Sequence, residues 1–233
     1  WIQSKCGIRK DGFTYFDFSK DYILDSVDGI LERLQIERLD SLLLHRPDAL
    51  MEPEEVAEAF DHLEQAGKIR HFGVSNQNPM MMELLKTAVK QPLKVNQLQL
   101  SAAFTPSFEA GFHVNMEGHK AAGRDGSVFE YCRLTDTVIQ AWSVLQHGYF
   151  KGNFVGKEEF AALNHVLTDL AKKYQVTPTA IALAWVLRYP GKMQAVIGTT
   201  KPQHVLEAGK AAEVILTRKE WYQIYLAAGN DLP

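Results

Sequence analysis

Alternation of strand-length apolar runs with helix-period segments predicts an α/β protein built on a parallel sheet. Three observations carry this reading. Six runs of strand length are each separated by helical segments. The run Leu39-Asp40-Ser41-Leu42-Leu43-Leu44-His45 is nearly continuously apolar, as suits a strand covered on both faces. Each run ends in polar side chains capable of chemistry. Right-handed crossovers fit either a (β/α)8 barrel or an open doubly wound sheet. No G-x-G-x-x-G follows any run, so a Rossmann nucleotide site has no support.

Taken in order, residues 1–8 read as a strand that opens without a methionine or a leading polar turn, which suggests a start inside a fold. A polar loop is expected over 9–18. From Ser19 to Leu34, residues Ile23, Leu24, Val27, Ile30, Leu31 and Leu34 share one helical face, with Ser19 as N-cap. The strand at 39–45 is broken by Arg46-Pro47-Asp48. A helix over 53–66 places Val56, Phe60 and Leu63 together, with Pro53 at its start and Gly67 past its end. A strand at 70–76, a helix at 79–89 and a strand at 93–100 follow. Residues 102–127 show no period and read as a long loop or insertion. A helix near 128–134 leads to a strand at 138–145. A loop punctuated by Gly148, Gly152 and Gly156 comes next. Helices are expected over 158–174 and 178–188, a last strand over 193–198, and helices over 202–212 and 218–228.

Composition excludes several classes. Hydrophobic residues are 46% of the 233, which rules out a disordered chain. Lys and Arg number 25 against 28 Asp and Glu, a net charge of −3, so a dense basic face for nucleic acid is not expected. No apolar stretch approaches the ~18 residues of a membrane span. Cys6 and Cys132 are too few for a disulfide framework and fit a reduced, cytoplasmic setting. His62, His71, His113, His119, His147 and His165 lack metal-ligand spacing, so no metal is assigned.

The strand ends hold Ser4-Lys5, His45-Arg46, Ser75-Asn76, Asn96-Gln97, Trp142-Ser143 and Thr199-Thr200-Lys201. In a barrel such positions line the active site. The segment Gly73-Val74-Ser75-Asn76, preceded by Gly67-Lys68-Ile69-Arg70, resembles the aldo-keto reductase signature. Leu42-Leu43-Leu44-His45-Arg46-Pro47-Asp48 is similar to the strand that bears that family's catalytic histidine. Asn96-Gln97, Ala141-Trp142-Ser143 and Val196-Ile197-Gly198-Thr199-Thr200-Lys201 match its cofactor contacts. The order of five motifs across nearly the whole chain makes the resemblance specific.

The resemblance implies a single (β/α)8-barrel domain over 1–233, incomplete at its N-terminus, with about six of eight βα units. It implies NADP(H) and reduction of aldehydes and ketones, with hydride leaving nicotinamide C4 and a tyrosine protonating the carbonyl oxygen. Such chemistry needs a proton donor and electrostatic support for the forming alkoxide. Lys5 and His45 align with the family's catalytic lysine and histidine. Ser75, Asn76 and Gln97 align with the groups that hold the carboxamide. Trp142 takes the place of the aromatic stacked on the nicotinamide. Ser143, Leu145 and Gly148 match the pyrophosphate loop. Gly198, Thr199, Thr200, Lys201 and His204 match the adenosine-phosphate segment, where free N–H groups beside Pro202 suit an anion.

Three departures accompany it. The family's aspartate and tyrosine lie upstream of the lysine strand, and neither Tyr15 nor Tyr22 takes that tyrosine's place. Gln77 stands where an aromatic is common. His204 stands where many members carry arginine for the 2′-phosphate, a weaker and pH-dependent anion partner.

Bland readings stand beside these. Cys6 is a perturbed thiol beside Lys5 or a small buried strand residue. Met80-Met81-Met82 packs a helix or lines a binding surface. The stretch Phe104–Gly126, with Phe108, Phe112 and His113, walls the substrate pocket or is a mobile loop. As to function, a reductase is weighed against an inactive truncated barrel or a nucleotide-binding partner protein of the same family. A six-strand piece leaves two sheet edges unpaired, which favours association. The expected partner is a small-molecule carbonyl substrate, with the protein a monomer or weak oligomer.

Overall fold

The computed structural model describes residues 1–113, 116, 119, 122–123, 126–149 and 151–232. The chain divides into two compact units, residues 1–97 with 130–138, and residues 98–129 with 139–233.

In the unit that contains the N-terminal residues, β1 (Gln3–Cys6) runs into a hairpin of β2 (Ile8–Asp11) and β3 (Phe13–Phe16). The hairpin replaces the expected polar loop. Gly12, at φ +69°, makes the reversal, and Asp11-Gly12 was the local signal for it. Helix α1 (Lys20–Leu34) buries Ile23, Val27, Ile30 and Leu31 on one face. Ser19 precedes it without a side-chain capping bond; its own N–H donates to Asp17 Oδ1 at 2.9 Å. Then come β4 (Leu39–Leu44), α2 (Pro53–Gln65), β5 (Ile69–Ser75), α3 (Pro79–Lys86) and β6 (Leu93–Gln99). Strands β1, β4, β5 and β6 pair in that order, all parallel. Asn78 Oδ1 caps α3 by accepting from Met81 N–H at 2.9 Å, and the helix ends three residues short of expectation. Of the three methionines, Met82 is buried and Met80 exposed. The core between helices and sheet holds Phe18, Val27, Leu42, Leu44, Phe60 and Phe72, the last two stacked at 4.0 Å.

The other unit holds α4 (Pro106–Phe112), the start of α5 (Val128–Leu134) and the described residues from 139 on. Helix α4 lies inside the stretch expected to lack a period. Pro106 starts it, and Phe108 drives it by burial against Trp185, Tyr189 and Trp221. Phe108 is therefore a core residue of this unit. Residues 114–115, 117–118, 120–121 and 124–125 of that stretch lie outside the described residues. β7 (Val138–Trp142) and β8 (Met193–Ala195) pair in parallel, both shorter than the apolar runs suggested. Residues 158–160 form a 3-10 turn into α6 (Ala161–Tyr174), followed by α7 (Pro178–Leu187), α8 (Pro202–Gly209) and α9 (Arg218–Ala227). Helix α7 is buried on all sides from Ala180 to Val186. Trp185 and Trp221 stack at 4.7 Å, and each indole N–H donates to the other's backbone carbonyl.

Candidate active site

The parallel ladder of β1 and β4 brings Lys5 and His45 together. His45 N–H donates to the Cys6 carbonyl at 2.9 Å, so the residue after β4 is held beside the end of β1. Lys5 and His45 line one cavity of about 450 Å³, with Arg9, Tyr22, Asp25 and Arg33 also on its wall. Tyr22 is committed elsewhere: its hydroxyl donates to the Ile8 carbonyl at 2.9 Å.

The β5–β6 register pairs Ser75 with Gln97. Ser75 Oγ donates to the Gln97 carbonyl at 2.9 Å and accepts from Asn76 Nδ2 at 2.8 Å. Asn76 N–H donates to the same carbonyl at 3.0 Å. Asn76 sits at φ +56°, a left-handed conformation that asparagine tolerates and that ends the strand with its amide turned back onto Ser75. Lys5 Nζ donates to Gln97 Oε1 at 3.0 Å, across 92 residues of sequence. Lys5, Ser75, Asn76 and Gln97 thus form one connected network, with His45 beside its lysine. Asn96, on the opposite face of β6, donates to the Gln77 carbonyl at 2.8 Å. Gln77 itself is 1% exposed, and neither atom of its side-chain amide meets a protein partner.

Burial tunes these groups. It pulls the Lys5 ammonium below the usual lysine range. Burial, then the charges of Lys5 and Arg46, bring His45 down to about 4. At neutral pH His45 is therefore uncharged and offers a hydrogen bond rather than a mobile proton. Burial raises the Cys6 thiol to about 12, so Cys6 is an inert strand residue and not a reactive neighbour of Lys5.

In the other unit, Trp142, Ser143, Leu145, Gly198, Thr199 and His204 line a cavity of about 530 Å³. Gly148, Thr200 and Lys201 lie outside its wall. Ser143 ends β7 at φ +53°, and its carbonyl accepts from Gln146 N–H at 2.9 Å. Thr199 Oγ1 accepts from Lys201 N–H at 3.2 Å and stands 3.4 Å from His204 Nδ1. Sequence reasoning missed Gln146, Asn153, Thr179 and Glu207 on this wall. Glu207 was within reach of it: three residues after His204 on α8, it follows the helical spacing. Gln146 and Thr179 come from a loop and from another helix, and no local pattern marks them. Gln146 Oε1 is buried in this wall without a protein partner.

Among the described residues no group of three or more His, Cys, Asp or Glu is placed to hold a metal ion. No helix among them is long and apolar enough to cross a membrane.

Residues 1–227 match the aldo/keto reductase family. Oxidoreductase YdhF of Escherichia coli (strain K12) is 33% identical over 239 residues, which cover 100% of this chain and 74% of that protein. A 6-dehydroglucose reductase of Agrobacterium fabrum is 32% identical over 240 residues, 99% of this chain and 73% of that one. The aldo/keto reductase from Klebsiella pneumoniae, solved in complex with NADP and acetate, shares the fold with a TM-score of 0.69 at 23% identity, over 89% of this chain and 65% of its own. With six parallel strands separated by helices and a family match over nearly its full length, the chain belongs to the aldo/keto reductase family of oxidoreductases and has the α/β architecture of an incomplete (β/α)8 barrel.

Proposed function

We propose that the protein is an NADP(H)-dependent reductase of aldehydes and ketones, working in the cytoplasm on a small-molecule carbonyl substrate. The observation that carries this reading is the connected network Lys5–Gln97–Ser75–Asn76 with an uncharged His45 beside it. The residues suit the cofactor. The 530 Å³ cavity joins a flat indole, a hydroxyl, a histidine and the unpartnered Gln146 Oε1. A Cβ at Gly198 would meet no protein atom within 4 Å, so the cavity is open beside this stretch of backbone.

When bound, the nicotinamide supplies a hydride to the carbonyl carbon. Ser75, Asn76 and Gln97 hold the carboxamide, because hydroxyl and amide side chains answer both its donor and its acceptor. Trp142 offers the ring a flat face. Ser143, Leu145 and Gly148 run along the pyrophosphate. Gly198, Thr199 and His204 would hold the adenosine phosphates from the cavity wall, which Glu207 shares, with Thr200 and Lys201 outside it. His45 donates a hydrogen bond to the carbonyl oxygen, and the Lys5 cation supports the negative charge that develops there. Among residues 1–233 neither Tyr15 nor Tyr22 takes the place of the tyrosine that the family resemblance gives as proton donor.

NADPH-dependent reduction of a panel of aldehydes tests the reading. Turnover that falls by orders of magnitude in Lys5→Met supports it. NADPH binding without turnover favours the other reading, a catalytically inactive barrel or a nucleotide-binding partner protein of the same family. Replacing His204 with Arg should tighten NADPH more than NADH; equal effects would separate this side chain from the 2′-phosphate.

A further inference from the structure

We propose that Arg9 is a specificity-determining residue that holds a carboxylate carried by the carbonyl substrate, so that the protein prefers oxo acids and acid aldehydes to uncharged carbonyl compounds. The inference deepens the reductase reading above and rests on it for the placing of the carbonyl group at Lys5 and His45.

The chain turns at Gly7, at φ +109°, from β1 into β2, and this places Arg9 beside the end of the strand that bears Lys5. Arg9, Lys5 and His45 line the same 450 Å³ cavity, a volume that suits a small molecule. The guanidinium is held in place before any ligand arrives. The β2–β3 ladder sets Arg9 opposite Tyr15. Its guanidinium carbon lies 4.7 Å from the centre of the Tyr22 ring and 5.5 Å from that of Tyr15, so two aromatic rings restrain it. Arg9 Nη1 donates to Asp17 Oδ2 at 2.8 Å, and Asp17 Oδ1 accepts from Ser19 N–H at 2.9 Å, which fixes the carboxylate in turn. A guanidinium carries five N–H donors in a rigid fork, and this ion pair uses one of them. Arg9 reaches the cavity wall and Asp17 does not. A clamped, half-exposed guanidinium with donors to spare is preorganised for a second, planar anion. The charge of the wall agrees: Lys5, Arg9 and Arg33 are cations and Asp25 is its one carboxylate. Arg33 stands eleven residues beyond Tyr22 on α1, about 16 Å along the helix axis, so it belongs to the other end of the slot. Arg9 is therefore the arginine at the reactive end. An oxo acid is held at both ends there, its carbonyl oxygen by His45 and Lys5 and its carboxylate by Arg9, and two-point binding orients the carbon that receives the hydride.

The test compares two alcohols of the kind the proposed reaction yields, 4-(hydroxymethyl)benzoate and 4-(hydroxymethyl)benzamide, which share a shape and differ in charge. Their dissociation constants are read by NMR titration of the 233-residue chain with NADPH present, a mixture in which alcohol and cofactor are both reduced and no hydride passes. Wild type should bind the benzoate about tenfold more tightly than the benzamide, the size of one charge-assisted contact at a partly exposed site. Arg9→Gln should bring the two within about twofold by weakening the benzoate while the benzamide stays unmoved. Because Arg9 also ties the hairpin to Asp17, Asp17→Asn serves as the structural control: it loosens the clamp and keeps the cation, so a preference of at least about threefold should survive. Arg33→Gln, at the other end of the slot, should leave the preference as in wild type. Four results overturn the inference: wild type binds the two alcohols equally or binds neither, Arg9→Gln weakens both alike, Asp17→Asn abolishes the preference, or Arg33→Gln abolishes it. Failure of NADPH to bind, titrated by itself, sinks the reductase reading alone, and an Arg9-dependent preference for the benzoate in that case still assigns the anion site.

Discussion

Acidification should protonate His45 well below the ordinary histidine range. The ring is held at about 4 by burial first and by the charges of Lys5 and Arg46 second. In the unfolded chain a histidine titrates near 6.5. As pH falls below 6.5 the unfolded state takes up a proton that the native state refuses until about 4. Stability is therefore full above 6.5, is lost between 6.5 and 4, and changes no further through this group below 4. At about 1.4 kcal/mol per pH unit the displacement corresponds to roughly 3 kcal/mol. Solvent reaches part of the ring, so about 1–2 kcal/mol is the expected net effect. The assay is urea unfolding at pH 7 and pH 4.5 for wild type and His45→Gln, with an NMR titration of the imidazole. Wild type should lose about 1–2 kcal/mol more than the variant between the two pH values. In Lys5→Met the ring should titrate higher, recovering a minor part of the displacement because burial is the larger cause. A His45 that titrates at or above 6.5, or equal losses in both proteins, would refute the reasoning. An uncharged His45 keeps one ring N–H, which is enough for the proposed hydrogen bond to a carbonyl oxygen.

Three other outcomes follow from particular contacts. Burial raises the Glu220 carboxylate, and bonds from Lys173, the Thr217 N–H, Tyr174 and the Thr217 hydroxyl outweigh it and bring the group to about 2. That stabilisation is present above pH 4.5 and lost toward 2, so Glu220→Gln should cost about 2–3 kcal/mol at pH 7 and almost nothing near pH 2, as read by chemical unfolding at each pH. A Cβ at Gly73 would stand 2.6 Å from the Val95 carbonyl oxygen and 2.7 Å from Leu43 Cδ2. Gly73→Ala should therefore destabilise by about 1–3 kcal/mol, and an unchanged thermal midpoint would show that β5 has room to shift. Gln77→Met keeps the volume and removes a buried amide without protein partners, so it should raise stability by about 1 kcal/mol; a loss of that size would show that the amide is satisfied after all.

Much of the fold was legible because strand and helix periods are local properties. The one-faced apolar spacing of Ile23, Val27, Ile30 and Leu31 announces α1, and the continuous leucines at 42–44 announce a strand covered on both sides. Two elements escaped for equally local reasons. The β2–β3 hairpin is short and mostly exposed, so no apolar face marks it beyond Asp11-Gly12. Helix α4 forms because Phe108 finds Trp185, Tyr189 and Trp221, residues more than seventy positions away whose proximity no window of sequence contains.

The site divides in the same way. The sequence alone determined which residue types end each strand, their order, and through that order the family. Whether Lys5 meets Gln97 depends on four parallel strands placing residues 92 apart within 3.0 Å. Whether Cys6 is reactive, and whether His45 is charged, depend on how much water the folded chain leaves around them. Only the tertiary structure decided these, because hydrogen-bond geometry and desolvation are sums over neighbours that the chain brings together on folding, whereas residue type and period are written along it.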